Sequence, residues 1–279
     1  MKSTAGPFVL GNFVFRLSTR RTEVIEAARQ LLMPFPSTPA SCARDERSCA
    51  VIDLDKDVES LCPERPDPLD PVAIVDHIFA LALEQQQPCL WLDAAALTTS
   101  DDRLVLLAGA SGAGKTTLAL SLAMVYGWKV LSEDITLVDT STRRIIPLAR
   151  PFRLRPDSQA RITEATNKKP APLVLGRWFF DRALFSQEQR ILAVSVAVLL
   201  RPAGEGTAVG LTIRDLPAAE CLRSILPISN AVRMPAGIEI LQDGLKEARC
   251  FELSGGSLKE RREAVGVSLV GDRVEWSYR

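Results

Sequence analysis

The chain has 279 residues, 47% of them apolar, which is enough to bury a substantial core as one large domain or one and a half. Lysine plus arginine balance aspartate plus glutamate at 34 each, so no overall field draws in nucleic acid or an anionic membrane surface, and any partner must be held locally. The six cysteines form no Cys-x-x-Cys pair and there is a single histidine, which argues against a zinc site and for reduced thiols.

The first apolar stretch, Pro7 to Phe15, is interrupted by Asn12 and followed by Arg16, which is not a signal-peptide pattern. The longest apolar run, Ile191 to Leu200, is too short to span a bilayer, so the expected compartment is the cytoplasm, with no membrane partner. Phe8 to Leu17 reads as a strand or hairpin with Gly11-Asn12 as the turn signal, and a short helix follows over Thr22 to Leu32. Residues 34–48 read as loop and Cys49 to Leu54 as a short strand. Pro63, Pro66, Pro68 and Pro71 mark the best boundary, giving an accessory α/β region over residues 1–68 and a main domain over 69–279.

Helical spacing over Pro71 to Leu83, with Asp70 as N-cap, carries the lone His77, which reads as structural. Strands at Cys89 to Ala94 and Arg103 to Ala108 follow, the second feeding a glycine-rich loop. Thr116 to Tyr126 reads as a helix with Leu118, Leu122 and Val125 on one face and Gly127 at its C-cap. Trp128 to Ser132 is then a strand running into Glu133-Asp134. Downstream, strands are expected at Ile191 to Leu200 and Ala208 to Ile213 and a helix at Pro217 to Leu226. The fold class is α/β, a nucleotide-binding sheet with helices packed on it.

The segment Gly109-Ala110-Ser111-Gly112-Ala113-Gly114-Lys115-Thr116 has the spacing of a Walker A P-loop. Its glycines let successive backbone N–H groups turn inward on phosphate. Lys115 would reach the outer phosphates, the Thr116 hydroxyl would take a magnesium ion, and the following helix offers its N-terminus, with Thr117, to the anion. ATP and Mg²⁺ are the cofactors this implies. Phosphoryl transfer also needs one carboxylate for the metal and one to orient or deprotonate the acceptor hydroxyl, and Glu133 and Asp134 lie a short distance past the loop.

Leu106 to Leu118, Gly127 to Asp134 and Pro147 to Leu154 together resemble the HPr kinase/phosphorylase-related kinases, over roughly residues 88–158. The resemblance implies a P-loop on a fold akin to phosphoenolpyruvate carboxykinase, and an ATP-dependent kinase acting on a serine hydroxyl of a peptide or protein. Its tailoring branch, which includes lasso peptide kinases, points to a ribosomal natural-product precursor as acceptor. By the same likeness Gly109 to Thr116 bind ATP phosphates and metal, and Glu133 and Asp134 match the family's acidic pair. Asp134 is taken as metal ligand and Glu133 as base, with the roles exchangeable, while Arg150 would lie near the active site and steady phosphoryl charge. Self-association is implied as well.

The sequence departs from that family at one position. Related kinases carry a His-Ala-Ala sequence in the strand before the loop, where this chain has Asp93-Ala94-Ala95. Asp93 either substitutes as an acid/base partner or marks lost catalysis. The alternatives to a peptide kinase are therefore a small-metabolite kinase and a catalytically silent ATP-binding regulator. Leu253-Ser-Gly-Gly-Ser257 resembles the signature segment of ABC transporter ATPases, but the strand ending in Asp-Glu that should follow is missing. It is expected to be a turn before a C-terminal helix over Leu258 to Val265.

Overall fold

The computed structural model describes residues 2–10, 13–22, 25–26, 50–53, 89–148, 151–171, 173–174, 178–179, 181–186, 188–202 and 210–270. The chain divides into two compact units, Met1–Gln87 and Pro88–Arg279. The boundary expected at residue 68, the helix over 71–83 and His77 lie outside the described residues, as does most of the helix expected at 22–32.

In the first unit β1 (Ser3–Leu10) pairs antiparallel with β2 (Phe13–Thr19), and β2 pairs parallel with β3 (Ala50–Asp53). Leu10 stands opposite Phe13, the register of the expected hairpin, although the turn residues themselves are not described. Phe8 and Phe15 pack with tilted rings at 5.6 Å between centroids, and Phe15, Leu17 and Ile25 are buried.

The second unit is mixed α/β. Among its described residues the strands are β4 (Cys89–Thr98), β5 (Leu104–Ala108), β6 (Lys129–Ser132), β7 (Ile135–Asp139), β8 (Arg144–Ile146), β9 (Phe152–Arg153), β10 (Leu173–Val174), β11 (Trp178–Phe179), β12 (Arg190–Ile191), β13 (Val194–Leu200), β14 (Thr212–Leu216) and β15 (Arg249–Ser254). The helices are α1 (Lys115–Tyr126), α2 (Pro156–Thr166), α3 (Ala218–Ile225), α4 (Gly237–Leu245) and α5 (Leu258–Val270). Nine strands make one sheet in the order β12-β8-β7-β4-β5-β13-β15-β14, with β6 also on β4. Within this sheet, among the described residues, β5, β13 and β15 run parallel to one another and the other strand pairs are antiparallel. Strands β10, β11 and β9 form a smaller antiparallel sheet.

The central strand β5 is apolar throughout because both its faces are covered. Every residue of β5 is buried. Leu104, Leu106 and Ala108 join Ala197, Leu199, Cys221, Ile225, Ile240, Leu241 and Leu245 in one core, on the side of α3 and α4. By the two-residue alternation of a strand, Val105 and Leu107 face the other way, where α1 packs on β4 and β5. Helix α1 is in turn covered by α2 and α5. That explains a departure from the expected one-sided stripe: Leu118 to Ala123 are all buried, whereas Val125 is exposed. Gly127 caps the helix in the left-handed conformation, its N–H donating to the Ala123 carbonyl at 3.0 Å.

The apolar run expected as one strand over 191–200 is split. Ile191 pairs with Arg144 at the sheet edge, a tight Ala193 N–H to Ile191 carbonyl bond of 2.8 Å turns the chain, and the central strand starts at Val194. Of the strand expected over 208–213, residues 208 and 209 lie outside the described residues, and the described strand is Thr212–Leu216, held antiparallel to β15. Among the described residues no helix is long and apolar enough to cross a membrane.

Candidate functional site

The glycine-rich loop leaves β5 at the carboxyl end of the parallel strands, the place where open α/β sheets present ligand crevices. Gly109 has φ 155° and packs so closely that a Cβ there would stand 2.6 Å from the Leu200 carbonyl oxygen. A side chain at 109 would push the loop off β13. Gly114, at φ 95°, is the N-cap of α1, and no side chain caps the helix. The first N–H groups of α1 therefore have no side-chain acceptor and suit an anion.

Lys115 begins α1 and folds back beneath the loop. Its Nζ donates to the Gly109 carbonyl at 2.8 Å and the Ala110 carbonyl at 3.3 Å, and lies 2.7 Å from Asp93 Oδ1. The ammonium thus has two carbonyl acceptors and one carboxylate as an ion-pair partner. Lys115 is only 5% exposed, while the Asp93 side chain keeps 30% of its surface. Asp93 reaches it because Leu92 and Ala94 point into the α3/α4 core, so the residue between them points to the α1 face.

The acidic pair sits at a break between two ladders on the same edge of β4. Ser132 pairs with Ala96 and Ile135 pairs with Asp93, leaving Glu133 and Asp134 between them. Two buried hydroxyls fasten the break from behind: Ser132 Oγ and Thr136 Oγ1 are 2.7 Å apart, and Thr136 donates to the Ala94 carbonyl at 2.8 Å. Glu133 is buried at 3% exposure and its Oε2 accepts the Thr116 hydroxyl at 2.9 Å, while Asp134 is half-buried. Loop, lysine, threonine and acidic pair thus meet at one place.

They line a cavity of about 320 Å³ together with Ser111, Thr117, Arg153, Arg155, Asp157, Ser158 and Arg161. A second cavity of about 590 Å³ adjoins it, sharing Gly112, Gly114, Thr117 and Arg161, and is bordered by Pro202 and Gly256 to Lys259. Among the described residues no group of three or more His, Cys, Asp or Glu is placed to hold a metal. The Thr116 hydroxyl beside the Glu133 carboxylate is nevertheless an all-oxygen donor pair. That fits magnesium, which keeps most of its water and needs one or two carboxylates.

Arg150 lies outside the described residues. The arginines of that stretch found on the cavity are Arg153 and Arg155, legible in the alternation Phe152-Arg153-Leu154-Arg155, in which the apolar members are buried and the arginines exposed. Arg261 is a further residue that sequence reasoning did not single out. Its guanidinium is buried and donates to the Gly255 carbonyl at 2.7 Å, the Ala113 carbonyl at 3.2 Å and the Arg201 carbonyl at 3.4 Å. Burial first, then the charge of Arg161, pulls this guanidinium below its ordinary pKa. The Leu253 to Ser257 segment is thereby tied to the glycine-rich loop of its own chain.

The turn before α5 ends in a reciprocal cap. The Ser257 N–H donates to Glu260 Oε2 at 2.7 Å and the Glu260 N–H donates to Ser257 Oγ at 3.3 Å, the Ser-x-x-Glu capping box. Hydrogen bonds from the Ser257 backbone and then its side chain hold the Glu260 carboxyl below its ordinary range. Comparison with known proteins finds no family model that the chain matches and no matching curated protein.

Proposed function

We propose that this chain is an ATP-dependent kinase that transfers the γ-phosphoryl group to a serine hydroxyl of a peptide or protein, with a P-loop of the HPr kinase type. One observation carries the reading: the Thr116 hydroxyl, at the start of the helix that follows the glycine-rich loop, hydrogen-bonds Glu133, the first residue of an acidic pair set in a strand break. Phosphoryl transfer asks little covalent chemistry of a protein and much positioning, and this grouping supplies it.

The loop N–H groups and the N-terminus of α1 bind the phosphates, and Lys115 leaves Asp93 to neutralise the outer ones. Thr116 and Glu133 would hold Mg²⁺, which would supply positive charge to offset that of the phosphates. This exchanges the roles expected from the sequence, because Glu133, not Asp134, engages the P-loop threonine. Asp134 takes the acceptor proton as the serine oxygen bonds to phosphorus, the bond from phosphorus to the β-phosphate bridging oxygen breaks, and ADP leaves with that electron pair.

The test is incubation with ATP-Mg and serine-bearing peptides, read by mass for one added phosphate, with Lys115→Ala and Asp134→Ala as controls. A gain lost in both variants is the expected outcome. ATP binding with no gain on any acceptor would instead favour a silent nucleotide-binding regulator, which the Lys115–Asp93 pair at 2.7 Å otherwise supports.

A further inference from the structure

Two cations hold carbonyl groups of the glycine-rich loop. Lys115 takes those of Gly109 and Ala110, and Arg261, reaching over from α5, takes that of Ala113 at 3.2 Å. A trans peptide points its N–H opposite to its C=O, so each captured carbonyl fixes the direction of the amide that follows it. Arg261 thus turns the Gly114 N–H away from itself. Gly114 is the N-cap of α1, where the helix dipole favours an anion. A Cβ at Gly114 would stand 3.8 Å from Arg261 Nη1, so the guanidinium charge lies close to this turn.

The two cations differ in what balances them. Lys115 has the Asp93 carboxylate, whereas Arg261, among the described residues, is held by carbonyl oxygens and by no carboxylate. Burial and the charge of Arg161 both work against its positive form. A buried charge without a counter-charge is costly, and an anion seated on the loop would offset that cost.

The guanidinium is also firmly mounted. Its Nε donates to the Gly255 carbonyl at 2.7 Å, in the turn before α5, and its Nη2 to the Arg201 carbonyl at 3.4 Å, just past β13. Neighbouring Arg262, buried as well, donates to the Ala165 carbonyl of α2, which pins α5 to that helix. Arg261 can therefore impose a direction on the Ala113–Gly114 peptide.

We propose that Arg261 is a positioning residue of the phosphate site: it holds the Ala113–Gly114 peptide so that the Gly114 N–H meets the bound phosphate, and that phosphate balances its charge. It acts through the backbone and touches no reacting atom. This rests on the phosphate-binding part of the kinase reading and adds the residue that shapes the loop from outside.

The experiment measures the Kd of tripolyphosphate and of ATP-Mg by calorimetry on the full chain. The proteins are the wild type, Arg261→Gln, Arg261→Lys and Arg262→Gln, each also melted without ligand. Arg261→Gln is expected to weaken both ligands by about tenfold or more, the usual worth of a hydrogen bond to a charged group, and by a similar factor because phosphates are what they share. Arg261→Lys keeps the charge but not the three-way grip, and its Kd values are expected to fall between. Arg262→Gln is the control for a structural change on α5: its melting temperature drops and both Kd values stay at the wild-type level.

Unchanged Kd values in Arg261→Gln overturn the proposal. So does a loss confined to ATP, which would put Arg261 on the nucleoside, or an equal loss in Arg262→Gln, which would make the effect one of α5 packing. If Arg261→Gln does not fold, Arg261→Lys against Arg262→Gln decides: weaker tripolyphosphate binding in the former alone upholds the proposal, and equal binding overturns it. A wild type that binds neither ligand removes the phosphate site and the proposal with it. ATP binding that depends on Arg261, with no acceptor phosphorylated, removes only the kinase chemistry and upholds the proposal.

Discussion

The Lys115 ammonium lies 2.7 Å from the Asp93 carboxylate, so the lysine of the glycine-rich loop is held by its own chain. On the proposed kinase reading, triphosphate binding would exchange that partner for a phosphate oxygen. Asp93→Asn removes the charge without changing shape, leaving a buried ammonium with two carbonyls and an amide. Its cost to the free protein is expected to fall below the roughly 3–5 kcal/mol of a fully buried pair, because Asp93 is partly solvated. The nucleotide-bound form loses less, so ATP affinity rises, by about tenfold for each 1.4 kcal/mol of the difference. Thermal melting and calorimetry with ATP check the two halves, and weaker ATP binding would mean that Asp93 aims the lysine at phosphate.

The Thr116 to Glu133 hydrogen bond of 2.9 Å underlies the different roles proposed for Glu133 and Asp134. Glu133→Gln is expected to raise the magnesium concentration needed for half-maximal rate, with part of the rate recovered at high magnesium. Asp134→Asn is expected to lower kcat by about 10²–10⁴, the usual worth of a general base, with magnesium dependence unmoved. A magnesium titration of both variants reads this directly, and the opposite pattern would restore the assignment expected from the sequence.

Local signals and long-range ones were unequally legible in the amino-acid sequence. The glycine-rich segment, α1 and the Gly127 cap are written in contiguous residues, and they appear where the spacing puts them. The partners of Lys115 and Thr116 are not contiguous: Asp93 arrives through the antiparallel register of β4 with β5, and Glu133 through the break between β6 and β7. The resemblance, not periodicity, drew attention to Asp93. Helix α2 escaped notice because it buries only Ile162, leaving no apolar stripe to read. Arg261 was hidden in a segment with a signature-like pattern, since its three carbonyl partners come from turns far apart in sequence.

The hydroxyl pair behind the acidic break makes a stability prediction. Thr136 Oγ1 bridges Ser132 Oγ and the Ala94 carbonyl, all of it buried. Thr136→Val keeps the shape and strands the serine hydroxyl and the carbonyl, costing about 1–3 kcal/mol. The double variant Ser132→Ala/Thr136→Val removes one of the two stranded groups and is expected to lose less than the sum of the single changes. Denaturant melts of the four proteins form the cycle.

A pH-dependent contribution is expected on β15, where Glu252 stands opposite Leu199 of β13. Burial pushes the Glu252 carboxyl up, but hydrogen bonding and charge from Arg201, then from Arg214, outweigh it and hold the group below its ordinary range. A carboxyl that is more acidic when folded binds fewer protons than the unfolded chain as the pH falls. Its stabilisation is therefore complete above the unfolded value of about 4.3 and is lost as the pH drops through the lower folded value. Both arginines are about half exposed, so the contribution is modest, under about 1 kcal/mol. Glu252→Gln should lower the melting temperature slightly at neutral pH, and the gap from wild type should close as the pH is taken below 4. A gap that stays constant across that range would assign the effect to packing on β14 instead of charge.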